Sequence, residues 1–338
     1  MILALPPRHS GSDMKFEHIL RSNQFDINNL NYLFNLADRI REFNATKSGL
    51  MYLNSLLPHK RAMLFFTQPS TRTFLSFQSA CHILGMRTSD IRDPNTSSER
   101  KGESIEDSLR TFSSYVDLII MRSPIAGLCE KIANLLDATP RSVPIINAGS
   151  GPDEHPTQAL LDLYTLNRCF SDLGGVTNKT ICMVGDLKRG RTVRSLTYLL
   201  GNYKNIKIIF CSPEEFKISE YLREFVKNNP NIEFVETTDF NEAISQADAI
   251  YMQRIQDEYD TIDNSLKHID VTKYYLTHDH LDALKPHCRI LHAMPRRQEL
   301  DPKIDSDPRA EYWSQQRNGM WVRTGLIAML MGIDQQLV

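Results

Sequence analysis

The run Arg61-Ala62-Met63-Leu64-Phe65-Phe66-Thr67-Gln68-Pro69-Ser70-Thr71-Arg72-Thr73 changes character midway, and that change sets the architecture. Residues 61 to 66 read as a short buried strand. Residues 71 to 84 carry apolar side chains at helical spacing (Phe74, Phe77, Ala80, Cys81, Leu84) and stop at Gly85, which suits a helix end. Ser70, Thr71, Arg72 and Thr73 therefore sit where a helix begins. Backbone N–H groups there lack intrahelical partners and carry partial positive charge, so hydroxyls and a guanidinium at this point form a cradle for an anion. The blander alternative, in which Ser70 only caps the helix and Arg72 is solvated, needs just one of these residues.

Working outward, the same alternation recurs. A helical pattern (Ile27, Leu30, Leu33, Phe34, Ala37, Ile40) precedes strand-like runs at 63–66, 118–121 and 143–146. A second series follows at 180–184, 206–211, 232–235, 249–252 and 289–291, again with helical stretches between. Strands alternating with helices predict an α/β fold with two domains, each a mostly parallel sheet flanked by helices. Helices over about 156–168 and about 318–333 are placed to join the two units. At 338 residues and roughly 100 to 200 residues per domain, two domains are also what the length suggests.

Composition narrows the function classes. A net charge of −2 offers no footprint for nucleic acid or an anionic membrane. The six cysteines are scattered without a C-x-x-C, which suits reduced, buried thiols in a cytoplasmic protein. Met1 to Leu5 is too short for a signal-peptide core before Pro6 and Pro7, and residues 1–14 read as a loose tail.

In open α/β folds ligands collect at the carboxyl ends of strands. Ser70 to Thr73, Arg122, Asp186 to Arg191, Arg254 with Gln256, and His292 to Arg296 all follow expected strands, so several cations converge on one rim. Such a rim suits a small ligand with several negative charges. The run Gly185 to Thr192 has phosphate-loop spacing, but Arg191 stands where the lysine belongs, and G-x-G-x-x-G is absent. His278, His280, His287, Cys288 and His292 lie close in sequence but match no zinc spacing, so no metal site is expected and the histidines read as packing or surface residues.

These residues fall into motifs: Ser70-Thr71-Arg72-Thr73, Asn95-Thr96-Ser97 with Lys101-Gly102-Glu103, Met121-Arg122, and His155-Pro156-Thr157-Gln158. Further on come Gly185-Asp186-Leu187-Lys188 with Gly190-Arg191-Thr192, Arg254-Ile255-Gln256, and His292 through Pro295-Arg296. From about residue 15 onward, in motif content and order, the chain resembles the aspartate/ornithine carbamoyltransferase family. Its G-D-L-K-x-G-R-T and R-x-Q runs are those of the aspartate branch. An ornithine enzyme would be expected to carry a cysteine after His292, where Ala293 and Met294 stand.

The resemblance implies transfer of the carbamoyl group of carbamoyl phosphate to the amino group of L-aspartate, giving N-carbamoyl-L-aspartate and phosphate, a step toward pyrimidines. It assigns the carbamoyl phosphate to Ser70, Thr71, Arg72, Thr73 and Arg122, with Thr73, Arg122 and His155 polarising the carbonyl. Preorganised donors of this kind are worth about 100- to 1,000-fold each in rate. Gln158 and the Met294 carbonyl are implied to receive the carbamoyl NH₂, and Arg191, Arg254 and Gln256 the aspartate carboxylates, for which arginine geometry is suited. Ser97 and Lys101 would reach from the adjacent subunit of a homotrimer, and Arg72, Thr73, Lys101, Arg122 and His155 form the catalytic set. Departing phosphate itself is implied to take the amine proton, so neither cofactor nor metal is called for. Domains are implied at 15–155, completed by a C-terminal helix at 318–338, and at 156–317.

The resemblance admits a regulatory subunit as a further partner. Ala293, Phe74 and Gln253 depart from the family's common proline, arginine and threonine, which leaves open a related amino-acid acceptor. A catalytically silent anion-binding homologue is the reading from another class, and the intact set Arg72, Lys101, Arg122, His155 and Arg254 argues against it.

Overall fold

The computed structural model describes residues 16–93, 102–151, 153–255 and 269–338. The first unit comprises α1 (Ile27–Asn44), α2 (Lys47–Asn54), β1 (Arg61–Phe66), α3 (Thr71–Ile83), β2 (Arg87–Ile91), α4 (Ile105–Ser113), β3 (Leu118–Ser123), α5 (Leu128–Asp137) and β4 (Ile145–Ser150). After α6 (Pro156–Cys169) the second unit follows: β5 (Thr180–Val184), α7 (Arg191–Leu200), β6 (Ile206–Cys211), α8 (Glu220–Asn228), β7 (Ile232–Thr237), α9 (Phe240–Gln246), β8 (Ala249–Met252) and β9 (Arg289–His292). Helix α10 (Tyr312–Leu330) comes last.

The strands assemble into a four-stranded sheet, β2-β1-β3-β4, and a five-stranded sheet, β7-β6-β5-β8-β9. Every named strand pairs with its neighbours in parallel. Continuous apolar runs such as Leu118 to Met121 are buried along their length because helices cover both faces of each sheet. The segment before α1 adds to the first sheet: Ile19 N donates to Ile145 O and Asn147 N to Ile19 O, both at 2.8 Å. Residues 1–14, read as a tail, lie outside the described residues.

Three elements differ from the sequence reading, the first being β4, which runs over Ile145–Ser150 rather than 143–146. β2 carries no apolar run, since Arg87-Thr88-Ser89-Asp90-Ile91 lies at a sheet edge with much of it exposed. Helix α10 starts at Tyr312 rather than near 318, because its first turn is not solvated: Tyr312 and Gln315 are wholly buried. All six cysteines are free thiols, and burial pushes the Cys81 thiol up to about 12. Among the described residues, no helix is long and apolar enough to cross a membrane.

Helices α6 and α10 hold the units together. Eleven residues of α6, from Pro156 to Leu166, are buried in succession, which is what a helix enclosed on all sides requires. Tyr164 Oη donates to Asp38 Oδ1 at 2.7 Å, and Arg168 pairs with the same carboxylate, tying α6 to α1. Gly325 lets α10 approach α1, since a Cβ there would sit 3.0 Å from Leu33 Cδ1 and 3.7 Å from Leu36. Gly325→Leu is therefore expected to wedge these helices apart and cost about 1–3 kcal/mol by overpacking. Chemical denaturation reads this, and an unchanged midpoint would show that the contact yields freely.

Candidate active site

Strand direction delivers the site. Ser70 to Thr73 lie at the carboxyl end of β1, Arg122 near the end of β3, Arg254 just beyond β8 and Met294 just beyond β9, while His155 opens α6 and Arg191 opens α7. At the first helix, Ser70 has extended backbone (φ −165°) and its side chain makes no capping hydrogen bond. Ser70 therefore does not cap the helix through its side chain, and Ser70 to Thr73 lie at the start of α3, where the first N–H groups lack intrahelical partners. Thr73 is buried, whereas Thr71 and Arg72 are exposed.

Arg122 is buried, and its Nη1 lies 3.1 Å from Ala148 O and 3.3 Å from His155 Nε2. Gly149 makes room for it, since a Cβ at that position (φ +119°) would stand 2.7 Å from Arg122 Nη1. The carbonyl of Arg122 accepts from Thr67 N at 2.9 Å, so strand end and cradle loop are one hydrogen-bonded unit. His155 donates its backbone N–H to Ser195 Oγ at 3.3 Å, and its Nδ1 has no hydrogen-bond partner among the described residues.

The electrostatics are those of a cationic pocket. Burial, then the guanidinium groups of Arg191, Arg122 and Arg323, push the His155 imidazole well below its ordinary range, so it is neutral. Partial burial and the field of Arg254 lower the Arg72 guanidinium, which places a cation of the second unit within reach of one in the first. Arg191 also crosses between units, donating to Gln68 Oε1 at 3.3 Å and to the carbonyl of Gly151. Held cations of this kind repel one another until an anion joins them.

Met294 has a left-handed backbone (φ +58°), uncommon for a residue with a Cβ. It is held by its N–H, which donates to His292 Nδ1 at 2.7 Å. His292 therefore carries its proton on Nε2 and donates it to Glu299 Oε1 at 2.8 Å. Burial works against the Glu299 carboxylate, but hydrogen bonds from His292 and from Arg297 N keep it below the usual range. Two other histidines of that cluster are engaged locally: His280 Nδ1 accepts from Thr277 N at 3.1 Å, and His287 Nε2 lies 2.8 Å from Asp248. Among the described residues no group of His, Cys, Asp and Glu is arranged to hold a metal.

Gln158 completes the brought-together set, buried with its Nε2 on Asp162 Oδ1 at 2.8 Å. Ser97, Lys101 and Gln256 lie outside the described residues. Two departures find structural uses: Phe74 packs edge-on against Phe66 with Arg92 over its ring at 4.4 Å, and Gln253 Oε1 accepts from Thr192 Oγ1 at 3.0 Å. Sequence reasoning missed Asp162, Tyr251, Gln315 and Arg323, all buried polar groups behind the site. The four-residue spacing of Gln158 and Asp162 on one helix face was the available signal.

Two parallel α/β units thus bring strand-end arginines to a common rim beside a buried, neutral histidine, a cationic setting suited to a small anion. The chain belongs to the aspartate/ornithine carbamoyltransferase family: residues 17–168 match its carbamoyl-P binding domain and residues 177–330 its Asp/Orn binding domain. It is 40% identical over 311 residues to the aspartate carbamoyltransferase catalytic subunit of Clostridium novyi, covering 92% of this chain and 96% of that one. Its identity to the chloroplastic aspartate carbamoyltransferase of Arabidopsis thaliana is 38% over 322 residues, or 94% of this chain and 79% of that one. Among solved structures, the aspartate transcarbamoylase of Trypanosoma cruzi in complex with carbamoyl phosphate and aspartate superposes with a TM-score of 0.84 at 30% identity, covering 93% of this chain and 96% of that one. The M. jannaschii catalytic subunit gives 0.82 at 32%, covering 94% and 98%.

A neutral, buried His155 has a direct signature. In nitrogen-detected NMR its imidazole is expected not to titrate between about pH 6 and 8, although a free histidine has a pKa of about 6.5. The sign follows: below about pH 6.5 the unfolded chain takes this proton before the folded one, so acidification through that range costs stability. A His155 resonance titrating near the free value would overturn the assignment of a neutral donor.

Proposed function

We propose that this chain catalyses attack of the amino group of L-aspartate on the carbonyl carbon of carbamoyl phosphate, in a reducing, cytoplasmic setting. The C–N bond forms, the bond from the carbonyl carbon to the bridging oxygen breaks with the O–P bond intact, and the departing phosphate takes the amine proton. The observation that carries the reading is the meeting of the two units at one rim, where buried Arg122 lies 3.3 Å from His155 Nε2 and Arg191 of the second unit donates to Gln68 of the cradle loop at 3.3 Å.

Each residue then has a physical task. The α3 N-terminus with Ser70, Thr71, Arg72 and Thr73 takes the phosphate dianion, joined by Arg122. Thr73, Arg122 and neutral His155 donate to the carbonyl oxygen as it gains charge. A neutral imidazole can be a donor there without adding a further full charge among the arginines. Gln158 and the Met294 carbonyl receive the NH₂, while Arg191, Arg254 and Gln256 hold the two aspartate carboxylates. The first unit, residues 15–155 with the C-terminal helix, would bind carbamoyl phosphate, and the second, 156–317, aspartate.

Ser97 and Lys101 are assigned to the site of the neighbouring subunit in a homotrimer.

Arg254→Ala is expected to cost about 2–5 kcal/mol in aspartate transition-state binding while nearly sparing carbamoyl phosphate. Titrations of both ligands check it, and equal loss of the two would refute the division of labour. Arg72→Ala is expected to lower turnover at least about 100-fold with little change in melting temperature, because a partly exposed site residue contributes to catalysis more than to packing.

The shared site is tested by mixing. Arg72→Ala and Lys101→Ala trimers are each expected to be nearly inactive, but dissociated and reassembled together in equal amounts they should regain about a quarter of wild-type sites, by counting arrangements on a closed three-fold ring. Mixed trimers that show only the summed parental activity would place Lys101 in its own subunit.

A further inference from the structure

Next to Gln158 on α6 lies a carboxylate whose hydrogen-bonding partners, as the structure gives them, all belong to the protein. Asp162 is wholly buried on α6, and its oxygens are surrounded by donors from three elements. Oδ1 accepts from Gln158 Nε2 at 2.8 Å and from Gln315 Nε2 at 2.6 Å, and Oδ2 accepts from Tyr251 Oη at 2.5 Å. The buried Arg323 of α10 supplies a compensating charge and lies 4.9 Å from the ring centroid of Phe77. Burial still raises the Asp162 carboxyl to about 6, which leaves it mainly ionised at neutral pH.

An ionised carboxylate only accepts hydrogen bonds, so any amide that meets it must turn its NH₂ inward and its oxygen outward. Gln315 confirms this orientation from its other side: its Oε1 accepts the backbone N–H of His292 at 2.9 Å, a group that can only donate. For Gln158 the same logic leaves Oε1 as the atom directed away from Asp162. The Gln315 arm continues, since His292 in turn receives Met294 N on Nδ1 and holds that residue in its left-handed conformation.

We propose that Asp162 is a positioning residue that sets the site's selectivity for an acyl phosphate bearing NH₂, by orienting Gln158 directly and Met294 through Gln315 and His292 so that two acceptor oxygens meet a group with two N–H donors. This rests on the assignment of Gln158 and the Met294 carbonyl to the carbamoyl nitrogen given above. Discrimination of this kind arises because an analogue lacking the donors leaves buried acceptors unpaired.

The experiment compares three ligands on the intact protein by calorimetric titration: carbamoyl phosphate, acetyl phosphate, which replaces NH₂ with CH₃, and inorganic phosphate. Wild type is expected to prefer carbamoyl over acetyl phosphate. In Asp162→Asn that preference should fall at least about tenfold, because an amide at 162 offers both donor and acceptor and no longer dictates the Gln158 orientation. Affinity for inorganic phosphate should stay within about twofold, which a general loss of structure would not allow. Gln315→Met, which leaves the Asp162–Gln158 pair in place and detaches His292, should lose part of the same preference, and it decides the matter alone if Asp162→Asn does not fold. A proportional loss for all three ligands, or an undiminished preference in the folded variants, would overturn the proposal. Failure of the wild type itself to prefer carbamoyl phosphate would instead overturn the functional reading beneath it.

Discussion

Parallel pairing throughout both sheets is the constraint on which the remaining features depend. All strands of a sheet then end at one edge, and a return that passes directly through a helix opens that helix's N-terminus at the same edge. The cradle at α3, Arg191 at the start of α7 and His155 at the start of α6 share this origin. Two such edges facing each other bring backbone dipoles and arginine side chains to one place without an excess of basic residues in the chain, whose net charge is −2.

Concentrating cations in this way has an energetic consequence. The Arg72 guanidinium is depressed by burial and by Arg254, and His155 is kept neutral by burial and its arginine neighbours, so these groups disfavour further positive charge. An anion placed among these groups would relieve that repulsion, so the same charges that oppose one another favour its binding. Backbone strain is held at Met294 by its positive φ, while Gly149, which adopts its own positive φ freely, leaves the space that a side chain would take from Arg122.

The two units are kept in register by α6 and α10, whose shared interior is polar rather than purely apolar. Asp162, Gln315, Tyr251 and Arg323 form a buried set in which breaking one member leaves others unsatisfied. An apolar core of similar volume could be equally stable, but it could not choose which end of an amide faces the pocket. Specificity of orientation, more than stability, is what this network supplies.

Much of this could be read from the chain itself. The apolar run before Ser70, the helical period after it and the repetition of that unit predicted parallel α/β architecture, because burial on both faces imposes continuous hydrophobicity on strands and a fixed period on helices. The residues at strand ends could be picked out because hydroxyl and guanidinium groups there have no packing role. β2 escaped notice since an edge strand owes its place to hydrogen bonds with β1 rather than to buried side chains. The first turn of α10 escaped for the opposite reason: Gln315 looks like a surface residue until Asp162, 153 positions away, gives its amide a buried partner. Residue types and local periods determined the elements and the chemistry available to them. Which amide oxygen faces the pocket, which histidine stays neutral and which arginines confront each other depend on groups distant in sequence, and only the tertiary structure decided them.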